Sequence, residues 1–278
     1  DSPAEKVNAR WQRATPEAAL EFSALGLFFA QELRRHHDVP IGLIDSSYGG
    51  TMVEAWMSRE TLERKFAEES LRESMFGWKP SSMYNAMIAP VTSFPVRSVL
   101  WYQGESNCGR PDQYRRLLRG LISDWRAKWG DERLPFFIVQ LPNFSEALDG
   151  LHYTWLREAQ FQVAEETPDV HLVVTIDTAD GYDLHPKEKK EIGRRLALLV
   201  RKHVFGEDIV ASGPVFRMME EEGERLRLRF DHAAGGLATP PGEPPAGFAV
   251  AGADGVFRYA DGKPDGETML LEKPAGPG

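Results

Sequence analysis

The chain has 278 residues, 42% of them hydrophobic, enough to bury a sizeable core in one large domain or in a domain with an appendage. Its 33 basic and 42 acidic side chains leave a net charge of −9, which argues against a nucleic-acid partner. A single cysteine, Cys108, excludes an internal disulfide and a cysteine-based zinc site, and no apolar run approaches the ~20 residues of a membrane helix.

The opening stretch, Asp1 to Lys6, is polar and carries no signal-peptide core. Thr15-Pro16-Glu17-Ala18 starts a helix, with threonine as the cap and proline in the first turn. Leu20, Phe22, Leu25, Leu27, Phe28, Phe29 and Leu33 continue it toward Arg34–His37, where basic residues suit a helix C-terminus. Pro40–Asp45 is a short apolar run bounded by turn residues, which predicts a buried parallel strand, with Ser46–Thr51 as the turn after it. A second strand is expected over Arg97–Gln103, ending in Gly104–Asn107. Tyr114, Leu117, Leu118, Leu121, Ile122 and Trp125 predict a helix over Gln113–Trp129. Pro135–Leu141 and Val170–Asp177 read as strands, Leu156–Glu165 and Lys187–Phe205 as helices.

Strands and helices alternate from residue 15 to 205, so the fold class is α/β: a parallel sheet with helices on both faces, three layers in all. Ligands in such sheets bind beyond the carboxyl ends of the strands. The loops 46–51, 103–107 and 177–186 leave those ends and converge on a candidate site. After Gly206 the pattern changes to short stretches of period two, at Val215–Met219, Arg225–Phe230, Gly247–Ala251 and Gly255–Tyr259, with a Gly/Pro-rich segment at 234–246. Residues 1–206 are therefore expected as the α/β domain, and 207–278 as a small β region whose end is a tail.

Within those loops, His185 lies just past a strand end, and an imidazole placed there suits a general base. Asp177, Asp180 and Asp183 surround it, and a histidine base needs an acid or a carbonyl to hold its tautomer; such a cluster also suits calcium. Ser46 and Ser47 follow a predicted strand, but Asp45 stands where a Gly-x-Ser-x-Gly elbow at Ser47 would need glycine. Gly49-Gly50 can present backbone N–H groups to an oxyanion or simply make a tight turn, and spacing leaves both readings open. Gln103 or Asn107 can donate to an oxyanion, and Glu105 can bond a substrate hydroxyl. Glu54 and Glu105 form a possible glycosidase pair, although a lone acid at a helix start is more often in a salt bridge. Tyr48, Trp56 and Trp101 can wall a sugar pocket or pack the core. Cys108 lacks a nucleophile signature and reads as an incidental or buried thiol.

These blocks, in this order, resemble the sialate O-acetylesterase family, an SGNH-type group of carbohydrate esterases. The matching stretches are Val39–Thr51 with Glu54-Ala55-Trp56, Tyr84–Pro90, Trp101–Asn107, Asp124-Trp125-Arg126 with Trp129, Leu156–Gln160 and Asp183–Pro186. Ser212-Gly213-Pro214, Phe230-Asp231-His232 and Gly247–Gly252 extend the likeness into the β region. The resemblance implies an esterase that removes O-acetyl groups from sialic acids or related sugars, with no metal or other cofactor, in a periplasmic or secreted setting. It places the base on His185, the glycine loop on Gly49 and Gly50, and an oxyanion amide on Gln103. Glu105, Asn107 and Ser47 are then expected to contact substrate. The family's nucleophile belongs to a Gly-Gln-Ser-Asn block upstream of the first helix, and that block is not in these 278 residues. The expected partners are therefore an O-acetylated sugar and an N-terminal segment that carries the serine. The triad acid of broader SGNH enzymes often lies three residues before the histidine, which is Tyr182 here. Asp183 takes that role in the first instance, with Asp180, Asp177 or a backbone carbonyl as alternatives. Two rival readings remain: an inactive carbohydrate-binding piece, and a glycosidase using Glu54 and Glu105.

Overall fold

A computed structural model describes residues 2–69, 71, 77–144, 153–179, 181–239 and 241–273. The chain divides into two compact units, Asp1–Asp208 and Ile209–Gly278.

In the first unit, α1 (Pro16–Leu20) is capped by Thr15, whose hydroxyl accepts the Ala18 N–H at 3.3 Å. The single helix expected here is two. Ser23 caps a second start by accepting the Gly26 N–H at 3.2 Å, and α2 runs Ala24–His36. A side-chain acceptor inside an apolar run competes with the helical ladder and restarts it. Next come α3 (Arg59–Lys65), β1 (Val99–Trp101), α4 (Pro111–Trp129), β2 (Phe136–Val139), α5 (Tyr153–Glu166), β3 (Val170–Val173) and α6 (Lys189–His203). The strands form a parallel sheet in the order β1-β2-β3, with Leu100 beside Phe137 and Phe137 beside His171.

Alternation along β2 separates two helical layers. Phe136 and Ile138 join the core of α4 and α5, with Leu117, Leu121, Leu156 and Val163. Phe137 turns to the other face, its ring 5.3 Å from His171, and His171 stacks at 3.5 Å on His203 of α6. Helix α2 packs on α6 at Gly193, where a Cβ would stand 2.8 Å from the Phe29 backbone nitrogen. The architecture is the expected α/β sheet with helices on both faces.

Two expectations change. Pro40–Asp45 is not a strand: among the described residues nothing pairs with it, and Val39 and Ile44 are exposed. An apolar run becomes a strand only where a neighbour supplies the ladder. β3 ends at Val173 rather than Asp177, because Thr175 turns its hydroxyl onto the Gln140 carbonyl at 2.7 Å and the ladder stops.

In the second unit, β4 (Val215–Glu222), β5 (Arg225–Asp231), β8 (Gly262–Asp265) and β9 (Thr268–Glu272) form an antiparallel sheet in the order β4-β5-β9-β8. β6 (Ala249–Ala251) and β7 (Phe257–Tyr259) pair separately. Leu226, Met269 and Leu271 form the core of this unit. The sequence reading missed β8 and β9. Their signal is Gly266-Glu267, a two-residue hairpin loop with glycine first and at φ +60°. Among the described residues, no helix is long and apolar enough to cross a membrane, and no three His, Cys, Asp or Glu side chains stand together to hold a metal.

Candidate active site

The site is built outward from the end of β1. Gly104 lets the chain turn under α5: a Cβ there would lie 2.6 Å from Leu156 Cδ2 and 3.1 Å from Leu141 Cδ1. Its N–H donates to Glu105 Oε2 at 3.0 Å, and the Gln103 carbonyl accepts from the Tyr114 hydroxyl at 3.0 Å and Gln160 Nε2 at 3.1 Å. Helices α4 and α5 thus both fix the strand end.

The Gln103 side chain joins this end to the glycine turn. Its Nε2 donates to the Thr51 carbonyl at 3.0 Å and to Asn107 Oδ1 at 2.9 Å. Both amide hydrogens are therefore in use, and Gln103 is a strut between loops rather than the free oxyanion donor expected for it. Its Oε1 is buried and has no hydrogen-bond partner among the described residues. Thr51 in turn donates its hydroxyl to the Tyr48 carbonyl at 2.8 Å and accepts the Trp56 indole N–H at 2.9 Å. Gly50 sits at φ +73°, which glycine adopts without strain. Gly49 faces open space, with no atom within 4 Å of where a Cβ would be. Of the two glycines, Gly50 makes the turn and Gly49 leaves it open to a ligand.

Asn107 is buried and bonded through both ends of its amide. Oδ1 also accepts the Val53 N–H at 3.0 Å, and Nδ2 donates to Glu54 Oε2 at 3.0 Å. Glu54 binds Arg110 at 2.8 Å, with side-chain exposures of 1% and 15%. Asn107 therefore braces the loop instead of meeting substrate. Glu54 has the salt bridge expected of a lone acid and is closed to solvent, which removes it from a glycosidase pair. Trp56 and Trp101 are buried in the core and do not wall a pocket; Tyr48 is exposed. Ser47 donates to Asp45 Oδ1 at 2.6 Å and Ser46 to the Met87 carbonyl at 3.3 Å, so neither is bonded to His185.

The His185 loop leaves β3 and is bound to the loop after β2. Thr178 donates to the Thr175 carbonyl at 2.7 Å. The Asn143 amide, oriented to satisfy its neighbours, donates to the Ile176 and Ala179 carbonyls at 2.9 and 3.2 Å. Phe144 and Gly181 form a parallel bridge. Asp177 is gripped by Arg195 of α6 at 2.7 and 2.6 Å, and these bonds hold its carboxyl below the usual carboxylate range. It is committed away from the histidine. Asp183 Oδ1 accepts the backbone N–H of His185 at 2.8 Å, so it shapes the His185 turn and is not on the ring. Among the described residues the His185 ring has no hydrogen bond, and the side chain is exposed. Asp180 lies outside the described residues, and Tyr182 is 83% exposed.

Lys189, at the start of α6, was not foreseen as a site residue. Its ammonium lies 5.1 Å from the Tyr102 ring centroid. Burial pushes its pKa down, opposed by Glu105 and Asp183. The available signal was a lysine at the positive end of a helix, where the dipole disfavours it. Cys108 is fully buried, which pushes its thiol up to about 12 and leaves it unreactive.

Residues 6–202 match the family described as carbohydrate esterase, sialic acid-specific acetylesterase. The sialate O-acetylesterase of Homo sapiens is 31% identical over 242 residues, covering 77% of this chain and 46% of the relative. That of Mus musculus is 29% identical over 261 residues, covering 75% and 48%. A carbohydrate acetylesterase from Xanthomonas citri superposes with a TM-score of 0.88 at 37% identity, over 99% of this chain and 62% of that one. The chain spans about half the length of the curated relatives it matches. Its α/β fold is of the SGNH type that the sequence blocks implied.

Proposed function

This chain belongs to the sialic acid-specific acetylesterase family of carbohydrate esterases, and on that premise we propose that it removes O-acetyl groups from sialic acids or related sugars by serine acyl transfer. The observation that carries the reading is the Gln103 strut. Its bond to Thr51 fixes the Gly49–Gly50 turn against the end of β1, and Lys189, at the start of the helix that follows the His185 loop, lies against Tyr102 at that end.

In this mechanism a serine hydroxyl attacks the acetyl carbonyl and His185 takes its proton. The backbone N–H groups at Gly49 and Gly50 hold the oxyanion, each such donor being worth roughly 2.7–4 kcal/mol of barrier. His185 then protonates the sugar oxygen as it leaves. Water, deprotonated by the same imidazole, attacks the acyl group and releases acetate. Asp183 positions His185 through its backbone N–H. Glu105 is the carboxylate at the strand end for a substrate hydroxyl. The nucleophile is assigned to an upstream segment bearing Gly-Gln-Ser-Asn, because Ser46 and Ser47 are bonded to Met87 and Asp45. A periplasmic or secreted setting goes with the family.

The test is acetate release from O-acetylated N-acetylneuraminate, by these 278 residues alone and together with the upstream segment. Turnover is expected only with that segment, and His185→Ala should lower it by about 10²–10⁴-fold. Good turnover by the 278 residues alone, abolished by Ser47→Ala, would move the nucleophile to Ser47. Sugar binding without acetate release in either form would make the chain a binding module instead.

A further inference from the structure

Tyr48 immediately precedes the Gly49–Gly50 turn and is 52% exposed, a large ring left in water beside that turn. Its placement is fixed from two sides. Its carbonyl accepts the Thr51 hydroxyl at 2.8 Å. Its ring stands edge-on to Trp78, with centroids 4.9 Å apart and planes at 71°, the arrangement that aromatic quadrupoles favour. Trp78 packs against the main core cluster, so the pair is anchored in the interior at one end and open to solvent at the other. Single exposed aromatics are ordinary on protein surfaces. One buttressed by a core-anchored tryptophan and set one residue from an oxyanion turn is preorganised for a flat apolar ligand face.

We infer that the Tyr48 ring, braced by Trp78, is the platform on which the C–H face of the sugar's pyranose ring lies. The inference rests on the esterase reading above and adds where the sugar sits. Consecutive Cα atoms are ~3.8 Å apart, so a ring resting on Tyr48 carries its ester substituents to the N–H groups of Gly49 and Gly50. Such a platform reads ring shape, not the acyl group. It accounts for a site in which Trp56 and Trp101, the other two aromatics considered as pocket walls, are buried and unavailable.

The experiment compares Tyr48→Ala, Trp78→Ala and Tyr48→Phe on two esters, O-acetylated N-acetylneuraminate and propyl acetate, which has no ring, with the upstream segment present. Tyr48→Ala should raise KM for the sugar ester about five- to tenfold and raise that for propyl acetate by much less, so that the ratio of the two KM values rises. Tyr48→Phe should behave as wild type, and Trp78→Ala should fall between. Equal losses on both esters, or an unchanged sugar KM in Tyr48→Ala, would overturn the platform. Binding of N-acetylneuraminate itself, followed by saturation transfer to the Tyr48 ring protons, does not depend on turnover. Ring contact in the wild type together with weaker N-acetylneuraminate binding by Tyr48→Ala supports the platform even in a protein that releases no acetate. No contact in a folded wild-type protein refutes it.

Discussion

Removing the Glu54 carboxylate should destabilise the first unit far more than it alters any chemistry. Glu54 accepts from Arg110 at 2.8 Å and from Asn107 Nδ2 at 3.0 Å, and only 1% of its side chain is exposed. In Glu54→Ala, a guanidinium that is itself 15% exposed loses its counter-charge. Breaking one half of a buried pair costs about 3–5 kcal/mol. Arg110 retains Gln113 and the Met52 sulfur at 3.2 Å, which favours the lower end. The unpaired Asn107 donor adds about 1 kcal/mol. Against a typical domain stability of about 5–15 kcal/mol, a loss near 4 kcal/mol is severe. It lowers Tm by about 8–16 °C for a unit of this size. Replacing both partners, Glu54→Met with Arg110→Met, removes the buried charges together and should recover at least ~2 kcal/mol relative to the sum of the single changes. Urea unfolding of the four proteins measures the cycle. A cost under ~1 kcal/mol for Glu54→Ala, or strict additivity in the cycle, would refute the pairing. Loss of turnover in a fully stable Glu54→Gln protein would return Glu54 to the chemistry.

The glycine turn predicts opposite effects at adjacent positions. Gly50→Ala forces a φ of +73° on alanine and should cost about 1–2 kcal/mol in thermal unfolding. Gly49→Ala meets no atom within 4 Å, so it should leave Tm unchanged while its methyl obstructs acetyl turnover; a large Tm loss there would contradict the open face. On the opposite face of the sheet, burial and then the repulsion of His203 push His171 from 6.5 down to about 4. The unfolded chain takes up this proton near pH 6.5 and the folded chain only near 4. Its contribution is therefore complete above pH 6.5 and is lost as pH falls toward 4. His171→Phe should flatten the dependence of urea midpoints on pH across that window, and an unchanged slope would refute the assignment.

What the sequence made legible was whatever is local and periodic. The apolar stripe of α4 and the all-buried run of β2 need no information from elsewhere, and both were readable within a residue or two. Pro40–Asp45 was not, because strand identity belongs to a pair and the apolar run supplies only one member of it. β3 was read too long for a related reason. Val174–Asp177 has strand composition, but Thr175 and Arg195 recruit its polar groups into a loop, and neither contact leaves a mark in the local pattern. The break at Ser23 was not read either, because the apolar residues on both sides of it continue one helical pattern.

The site shows the same division at higher resolution. The loops that carry it follow from the alternation of strands and helices, so His185, Gly49, Gly50 and Gln103 could be named from sequence. The role of Gln103 could not, because a side chain's role depends on which of its atoms remain free. Gln103 offers two donors and one acceptor to any reader of the sequence. In the fold both donors are spent, on Thr51 and Asn107, and only the buried Oε1 is left. Turning the amide over would set its oxygen against two acceptors, the Thr51 carbonyl and Asn107 Oδ1, so the orientation is dictated. What Gln103 retains is an acceptor, suited to a hydroxyl donor and not to an oxyanion. In the mechanism proposed above, the donors for the developing charge are therefore taken from the backbone of the Gly49–Gly50 turn. The glutamine's contribution is to hold that turn in place against the end of β1.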